Sequence, residues 1–147
     1  TRSLANNMRS ASKVYAVDPA MFGAFSPASA LDQGQRLETA VFNALRRRTP
    51  AVRVGSVCRL LIKEKSKNHE VDFVAGDALL MRAYSLIQVS VDMASEKTRE
   101  REIAALDASM AQFDLGESAI VTMDEQADIP CEHGVVHVVP AWKWLLA

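Results

Sequence analysis

Hydrophobic and polar residues follow two periods along this chain, and together the two periods predict the order of its elements. Residues 34–48 and 96–113 repeat their apolar positions every three or four residues, which predicts two amphipathic helices, the second capped by Ser95. Period-2 or continuous apolar patterns predict five strands, over residues 52–62, 70–75, 85–91, 119–123 and 135–139. A final helical turn over residues 141–146 contains both tryptophans, which are expected to seal the core.

The predicted order is helix, three strands, helix and strand, followed by one extra strand and a short helix. An antiparallel meander followed by a helical crossover produces a mixed sheet with helices on its faces. The sequence therefore predicts an α/β fold. At 147 residues, the chain has the size of one domain. We expect this domain to span residues 13–147, after a loose lead-in over residues 1–12.

Two of the predicted strands carry polar side chains on one face. In the strand over residues 70–75, Glu70 and Asp72 alternate with Val71 and Phe73, which are expected to share the opposite, buried face. In the strand over residues 85–91, Gln88 and Ser90 alternate with Ile87, Val89 and Val91. A carboxylate within an apolar strand is costly unless something neutralises or uses it. If the two strands are neighbours, their polar faces form one small site.

The chemistry that this site suggests is metal-assisted hydrolysis of a phosphodiester. Such a reaction needs carboxylate ligands for Mg²⁺ and a cation that stabilises the charge developing on the phosphate. Glu38 is the candidate acid of the first helix, and Asp72 is the acid of the strand. Gln88 offers only a neutral oxygen, and Ser90 offers no charge. The site is therefore predicted to be vestigial, because it lacks one acid and the cation.

Charge is distributed unevenly, although the net charge is only −1. Residues 46–67 hold five Arg and three Lys against one Glu, whereas residues 113–132 hold six acids and no base. A basic segment beside a metal site suits a phosphate backbone. The candidate nucleic-acid-binding residues are Arg46, Arg47, Arg48, Lys63, Lys65 and Lys67. The alternative is a solvated helix end followed by an exposed strand.

Several other kinds of site and protein are disfavoured. The chain shows no apolar run of membrane-spanning length and no signal peptide, and its two cysteines suit a reducing cytoplasm. Cys131, His133 and His137 resemble a zinc set, but His137 lies in an extended run, where four residues span about 13 Å. The acidic run over residues 124–128 lacks the spacing of an EF-hand and is expected to be a solvated turn. No phosphate-loop motif for ATP occurs.

Six segments, taken in order, resemble a known family. They are Lys13-Val14-Tyr15-Ala16-Val17-Asp18, Gly34-Gln35-Arg36-Leu37-Glu38-Thr39-Ala40-Val41-Phe42, His69-Glu70-Val71-Asp72-Phe73-Val74, Leu86-Ile87-Gln88-Val89-Ser90, Lys97-Thr98-Arg99-Glu100-Arg101-Glu102 and Pro140-Ala141-Trp142-Lys143-Trp144-Leu145-Leu146. The chain resembles the C-terminal domain, of unknown function, of prokaryotic AAA-type ATPases. That domain is similar to the PD-(D/E)xK, or restriction-endonuclease-like, superfamily.

The resemblance implies a core of helix, three strands, helix and strand, which is the order predicted above. It also implies that Glu38 and Asp72 occupy the acid positions and would hold Mg²⁺ or Mn²⁺ in an active member. Gln88 then occupies the third ligand position, and Ser90 the position of the catalytic lysine. The ATP-binding half is expected upstream as the partner domain of the same protein.

Two functions follow from the resemblance. The expected one is an inactive, nuclease-like recognition module that binds nucleic acid or a protein partner. The alternative is a Mg²⁺- or Mn²⁺-dependent deoxyribonuclease, in which Lys63, Lys65 or Lys67 would have to replace the missing lysine. The sequence leaves the choice of partner and the oligomeric state open.

Overall fold

The computed structural model of the chain describes residues 13–21, 30–48, 57–63, 68–77 and 82–147. The helices are α1 (Ala30–Arg48), α2 (Glu96–Phe113) and α3 (Ala141–Leu146). The strands are β1 (Val57–Lys63), β2 (Asn68–Asp77), β3 (Arg82–Val89), β4 (Glu117–Thr122), β5 (Ala127–Pro130) and β6 (Val135–Pro140). The predicted lead-in over residues 1–12 and residues 52–56 of the first predicted strand lie outside the described residues.

The six strands form one mixed sheet in the order β1-β2-β3-β4-β6-β5. Strands β1, β2 and β3 make an antiparallel meander, and β4 lies parallel to β3 after the crossover through α2. Strand β6 is parallel to β4, and β5 adds antiparallel to β6 at the edge. The predicted α/β class, a mixed sheet flanked by helices, is confirmed.

The prediction of a single extra strand is wrong, because both β5 and β6 follow β4. Strand β5 begins within the acidic run that was expected to be only a turn. Ile129 is its one partly buried side chain, so its sequence carries no clear apolar alternation. Its position depends on pairing with the β6 backbone, which a period-2 search does not detect.

Apolar side chains from the two faces of the sheet form two clusters, which place α1 and α2 on opposite faces. The cluster under α2 contains Val71, Val74, Leu86, Leu106, Met110 and Ile120. The cluster under α1 contains Leu37, Val41, Leu45, Phe73, Ile87 and Val121. Consecutive strand residues such as Leu86 and Ile87 fall in different clusters, as they must when side chains alternate across a sheet. The sheet is therefore buried between two helical layers.

The helix ends follow local sequence signals. Ser95 caps α2 by accepting a hydrogen bond from the Thr98 N–H at 3.4 Å, as predicted, and Asp114 ends the helix with a φ of 55°. Helix α1 begins at Ala30, before the predicted start.

Trp142 does not seal the core, because it is 62% exposed. Within the described ranges, the helices are too short or too polar to cross a bilayer.

Candidate functional site

A β-bulge in β2 determines where Asp72 lies. The residue pairs on either side of the bulge are Cys58–Val74 and Leu60–Val71. Arg59 of β1 therefore faces two residues of β2, Asp72 and Phe73, instead of one. A bulge of this kind re-aims the side chains of the strand that carries the extra residue. Asp72 is thereby brought within reach of groups on the α1 side of the sheet.

The bulge also shows that one prediction is wrong. Val71 and Phe73 were expected to share one face of β2, but Val71 packs in the cluster under α2 and Phe73 in the cluster under α1. In a regular strand, residues two apart share a face. The extra residue breaks that rule between Val71 and Phe73, so no single polar face runs along β2.

A polar cavity of about 420 Å³ opens at this point between α1, the sheet and α2. Its lining residues are Glu38, His69, Glu70, Asp72, Gln88, Val89, Arg101, Glu102 and Ala105. The structure thus brings together Glu38, Asp72 and Gln88, the three residues singled out as the ligand positions. Four carboxylates, those of Glu38, Glu70, Asp72 and Glu102, surround one small volume.

Lys13 supplies the positive charge that the sequence reasoning did not find at this site. Its Nζ atom lies 2.7 Å from Oε1 of Glu38 and 3.3 Å from Oδ1 of Asp72. The ammonium group therefore bridges the helix acid and the strand acid. The expectation that the pocket lacks a cation is wrong. A signal was present in the sequence, since Lys13 and Tyr15 alternate in a short extended segment and so share one side.

The segment that carries Lys13 is held against α1 and the cluster beneath it. The Tyr15 hydroxyl donates a hydrogen bond to Oε1 of Glu38 at 2.7 Å, and its ring stacks on Phe42 with 4.1 Å between centroids. Asn43 donates through Nδ2 to the carbonyl oxygens of residues 16–17, at 3.0 and 2.9 Å. Aromatic stacking and two backbone contacts therefore fix the segment directly behind Lys13.

Gln88 and Ser90 make hydrogen bonds of their own. Gln88 is buried, and its Oε1 accepts the backbone N–H of Asp72 at 3.0 Å. Asp72 in turn accepts the N–H of Val89 through Oδ2 at 3.1 Å. The Ser90 hydroxyl donates to the carbonyl oxygen of Asp92 at 2.7 Å. Gln88 therefore tethers β3 to β2 at the cavity, and Ser90 contributes no charge there.

Two acids of the cavity were not predicted as site residues. Glu102 of α2 is only 5% exposed and pairs with the adjacent Arg101, whose Nη2 lies 2.5 Å from Oε1. Glu70 pairs with Arg59 of the neighbouring strand at 2.6 Å. Glu102 lies one turn before Leu106, on the buried stripe of α2, and an acid on an apolar stripe is a sequence signal that could have identified it.

The electrostatics of the cavity reflect burial opposed by ion pairing. Burial raises the pKa of Asp72 above its ordinary value, and the charge of Glu38 adds to this, although the Val89 N–H and the charge of Lys13 act in the other direction. The pKa of Lys13 is raised above its ordinary value. Burial acts to lower it, but the hydrogen bond to Glu38 and the charge of Asp72 together have the larger, opposite effect. Lys13 is therefore a cation at neutral pH.

The raised pKa of Asp72 predicts how stability depends on pH. The folded protein holds the Asp72 proton more tightly than the unfolded chain does. Protonated Asp72 therefore stabilises the fold at low pH, and this stabilisation is lost as the pH rises from 3.8 through the raised pKa of the folded state. We expect the stability of the wild type relative to Asp72→Asn to decline over that window. Urea unfolding of both proteins at successive pH values measures the difference.

The matched control for this measurement is Asp124→Asn, which changes an exposed aspartate in a turn. The stability difference between that variant and the wild type should not follow the Asp72 curve. A difference between the wild type and Asp72→Asn that stays constant across the acidic range would contradict the prediction.

The three arginines proposed for binding nucleic acid do not border this cavity. Arg46, Arg47 and Arg48 occupy the last turn of α1, about 12–15 Å along the helix axis from Glu38. The guanidinium group of Arg48 lies over the Trp144 ring at 4.3 Å and donates to the Trp144 carbonyl oxygen at 2.7 Å. These arginines therefore lie away from the candidate metal site, and their role in binding nucleic acid stays a prediction. The side chain of Lys63, and all of Lys65 and Lys67, lie outside the described residues.

His133 and His137, two members of the zinc set disfavoured from the sequence, contact two different carboxylates. Nδ1 of His133 lies 3.0 Å from Oδ2 of Asp107, while Nδ1 of His137 lies 2.7 Å from Oδ1 of Asp128. Asp107 also accepts the His133 backbone N–H at 2.9 Å, so it ties α2 to the β5–β6 hairpin. Asp107 and His133 therefore form a structural clasp, and the Glu132 carboxylate lies within 4.8 Å of both.

Similarity to other proteins adds nothing to this geometry. Comparison of the chain with protein-family models, with curated proteins and with solved structures found no match. The function must therefore be argued from the cavity and its side chains.

Proposed function

We propose that this chain is a divalent-metal-dependent nuclease domain of the PD-(D/E)xK type, in which Lys13 replaces the lysine missing at Ser90. The observation that carries the proposal is the position of the Lys13 ammonium group, in contact with both Glu38 and Asp72. The sequence alone favoured an inactive module because the positions expected to hold a cation and a third acid are Ser90 and Gln88. With a cation present, the metal-dependent deoxyribonuclease, which the sequence left open as the alternative, becomes the preferred function.

The architecture supports a restriction-endonuclease-like core. Helix α1, the β1–β2–β3 meander, α2 and β4 follow one another in the order that the sequence resemblance implies. Strand β4 lies parallel to β3, as a helical crossover requires. The two acids lie on α1 and on the second strand of the meander, which are the positions that the resemblance assigns to them.

The donor set fits Mg²⁺ or Mn²⁺. Both ions prefer carboxylate oxygens, and the Lys13 ammonium marks a point from which one cation reaches oxygens of both Glu38 and Asp72. These two side chains would hold the ion. When bound, the ion would activate a water molecule and neutralise charge on the phosphate.

The chain's own residues have distinct roles in this proposal. Lys13 stabilises the negative charge that develops on the phosphate. Tyr15 orients Glu38 through its hydrogen bond, and Gln88 holds the Asp72 backbone in the bulge. Arg101 lines the same cavity and adds a second positive charge near the path of a phosphate backbone.

The resemblance extends the proposal to the whole protein. We propose that the domain is the C-terminal part of an AAA-type ATPase, whose upstream half binds ATP and is the partner of this domain. This part of the proposal is supported only by the resemblance of the six sequence segments.

Metal removal tests the proposed activity. The wild-type chain is expected to nick supercoiled plasmid in Mn²⁺ and to leave it intact in EDTA, because Glu38 and Asp72 need the ion to activate water. Gel electrophoresis of the plasmid forms gives the rate. Nicking that is equal with and without EDTA would indicate a contaminating enzyme, and intact plasmid in both would reject the nuclease proposal.

A recognition module remains the second candidate. The observation in its favour is that Gln88 and Asp72 each accept a backbone N–H from the other's strand. These hydrogen bonds stabilise the cavity without an added ligand. Retention of intact plasmid that weakens with salt would support this candidate.

A further inference from the structure

We propose that Lys13 is the internal counter-ion of the cavity and that a divalent cation must displace it in order to bind Glu38 and Asp72. This inference rests on the proposed function, because it concerns the ion that the same two acids would hold. It adds a regulatory property: the protein carries its own competitor for the metal position.

The competition follows from the atoms in contact. Nζ of Lys13 reaches Oε1 of Glu38 and Oδ1 of Asp72, and each of these acids is at least four-fifths buried at its side chain, with 18% and 12% exposed. Water screens charges poorly in such a place. A divalent ion that binds the same two oxygens would lie close to the ammonium group, where the two cations repel each other and water screens them little. We therefore expect metal binding to break the Lys13 ion pairs.

Lys13 can leave without unfolding the segment that carries it. The Tyr15 ring stays stacked on Phe42, and Asn43 still holds the carbonyl oxygens of residues 16–17. The lysine side chain has four rotatable carbon bonds and is 37% exposed, so it can turn towards solvent. Val14 beside it is 80% exposed and does not anchor the segment. The displaced ammonium is then available to a phosphate, so that metal and substrate favour each other's binding.

The test is the affinity for Mn²⁺ alone, measured by isothermal titration calorimetry without any nucleic acid. Lys13→Met removes the charge and keeps an unbranched side chain that is one atom shorter. We expect this variant to bind Mn²⁺ about tenfold more tightly than the wild type, which corresponds to about 1.4 kcal/mol. Lys97→Met, which removes an exposed lysine from the first turn of α2, should bind as the wild type does.

The outcomes separate this inference from the proposed function. Equal or weaker Mn²⁺ binding by Lys13→Met would overturn the competition while leaving the metal site in place. No Mn²⁺ binding by any of the proteins would overturn both. If circular dichroism shows that Lys13→Met does not fold, Lys13→Gln takes its place with the same expected tightening.

Discussion

Lys13→Met is expected to lower the rate of Mn²⁺-dependent plasmid nicking by about 100- to 1,000-fold, the usual effect of removing one group that stabilises transition-state charge. The ammonium group contacts both proposed metal-binding acids, and Ser90 leaves its own position uncharged. The rate should be measured at saturating Mn²⁺, because the same substitution is expected to tighten metal binding. A loss at saturation then reports on the reaction and not on metal loading.

Two further variants provide a control for the loss of charge and a rescue of the rate. Lys97→Met removes one positive charge from an exposed position and should leave the rate unchanged. Ser90→Lys, introduced into Lys13→Met, should restore part of the rate, since Ser90 lies two residues after Gln88, directly after the last residue of the strand that borders the cavity. Full activity of Lys13→Met would show that Lys13 is not the required cation, and would contradict its proposed role in place of the lysine missing at Ser90.

Phe73→Ala is expected to lower the free energy of unfolding by about 3–5 kcal/mol, because it empties a large buried site. Phe73 is 2% exposed and lies in the cluster under α1. Its ring also contacts Tyr15 and Phe42, with centroids 5.8 and 6.0 Å away. The substitution therefore weakens both the core and the support of the segment that delivers Lys13. Urea unfolding followed by circular dichroism measures the change.

Tyr84→Ala is the matched control, because it removes an aromatic ring that is 59% exposed on the same sheet. We expect that change to cost less than about 1 kcal/mol, as surface substitutions usually do. Comparable losses in the two variants would contradict the assignment of Phe73 to the core. That result would also contradict the role of the bulge in placing Val71 and Phe73 on opposite faces of the sheet.

Local patterns predicted the helices and most strands because their causes lie within a few residues. The apolar stripe of α2 and its cap at Ser95 repeat over one or two turns, and the sequence shows both directly. The short edge strand β5 was missed because backbone pairing with β6 forms it, without a stripe of its own. The opposite faces of Val71 and Phe73 were missed because a bulge depends on how two strands pair.

Some residues of the candidate site were likewise identified from the sequence, and others were overlooked. Asp72 was identified because an acid within an apolar strand is costly, and Glu38 because it lies at the edge of the apolar stripe of its helix. Lys13 was overlooked because its partners lie 25 and 59 residues away along the chain. Arg46, Arg47 and Arg48 are close to Glu38 in sequence, yet the length of α1 separates the two. Proximity along the chain was a poor guide for charges, which act through space.

The sequence by itself determined the α/β class, the order of the elements apart from β5, and the two acids of the candidate site, since each is reflected in short-range periodicity. Only the tertiary structure decided that one ammonium group bridges those acids and that the arginine cluster lies at the far end of α1. The physical reason is that folding of the chain, and not the spacing of residues, sets the distances between charged groups.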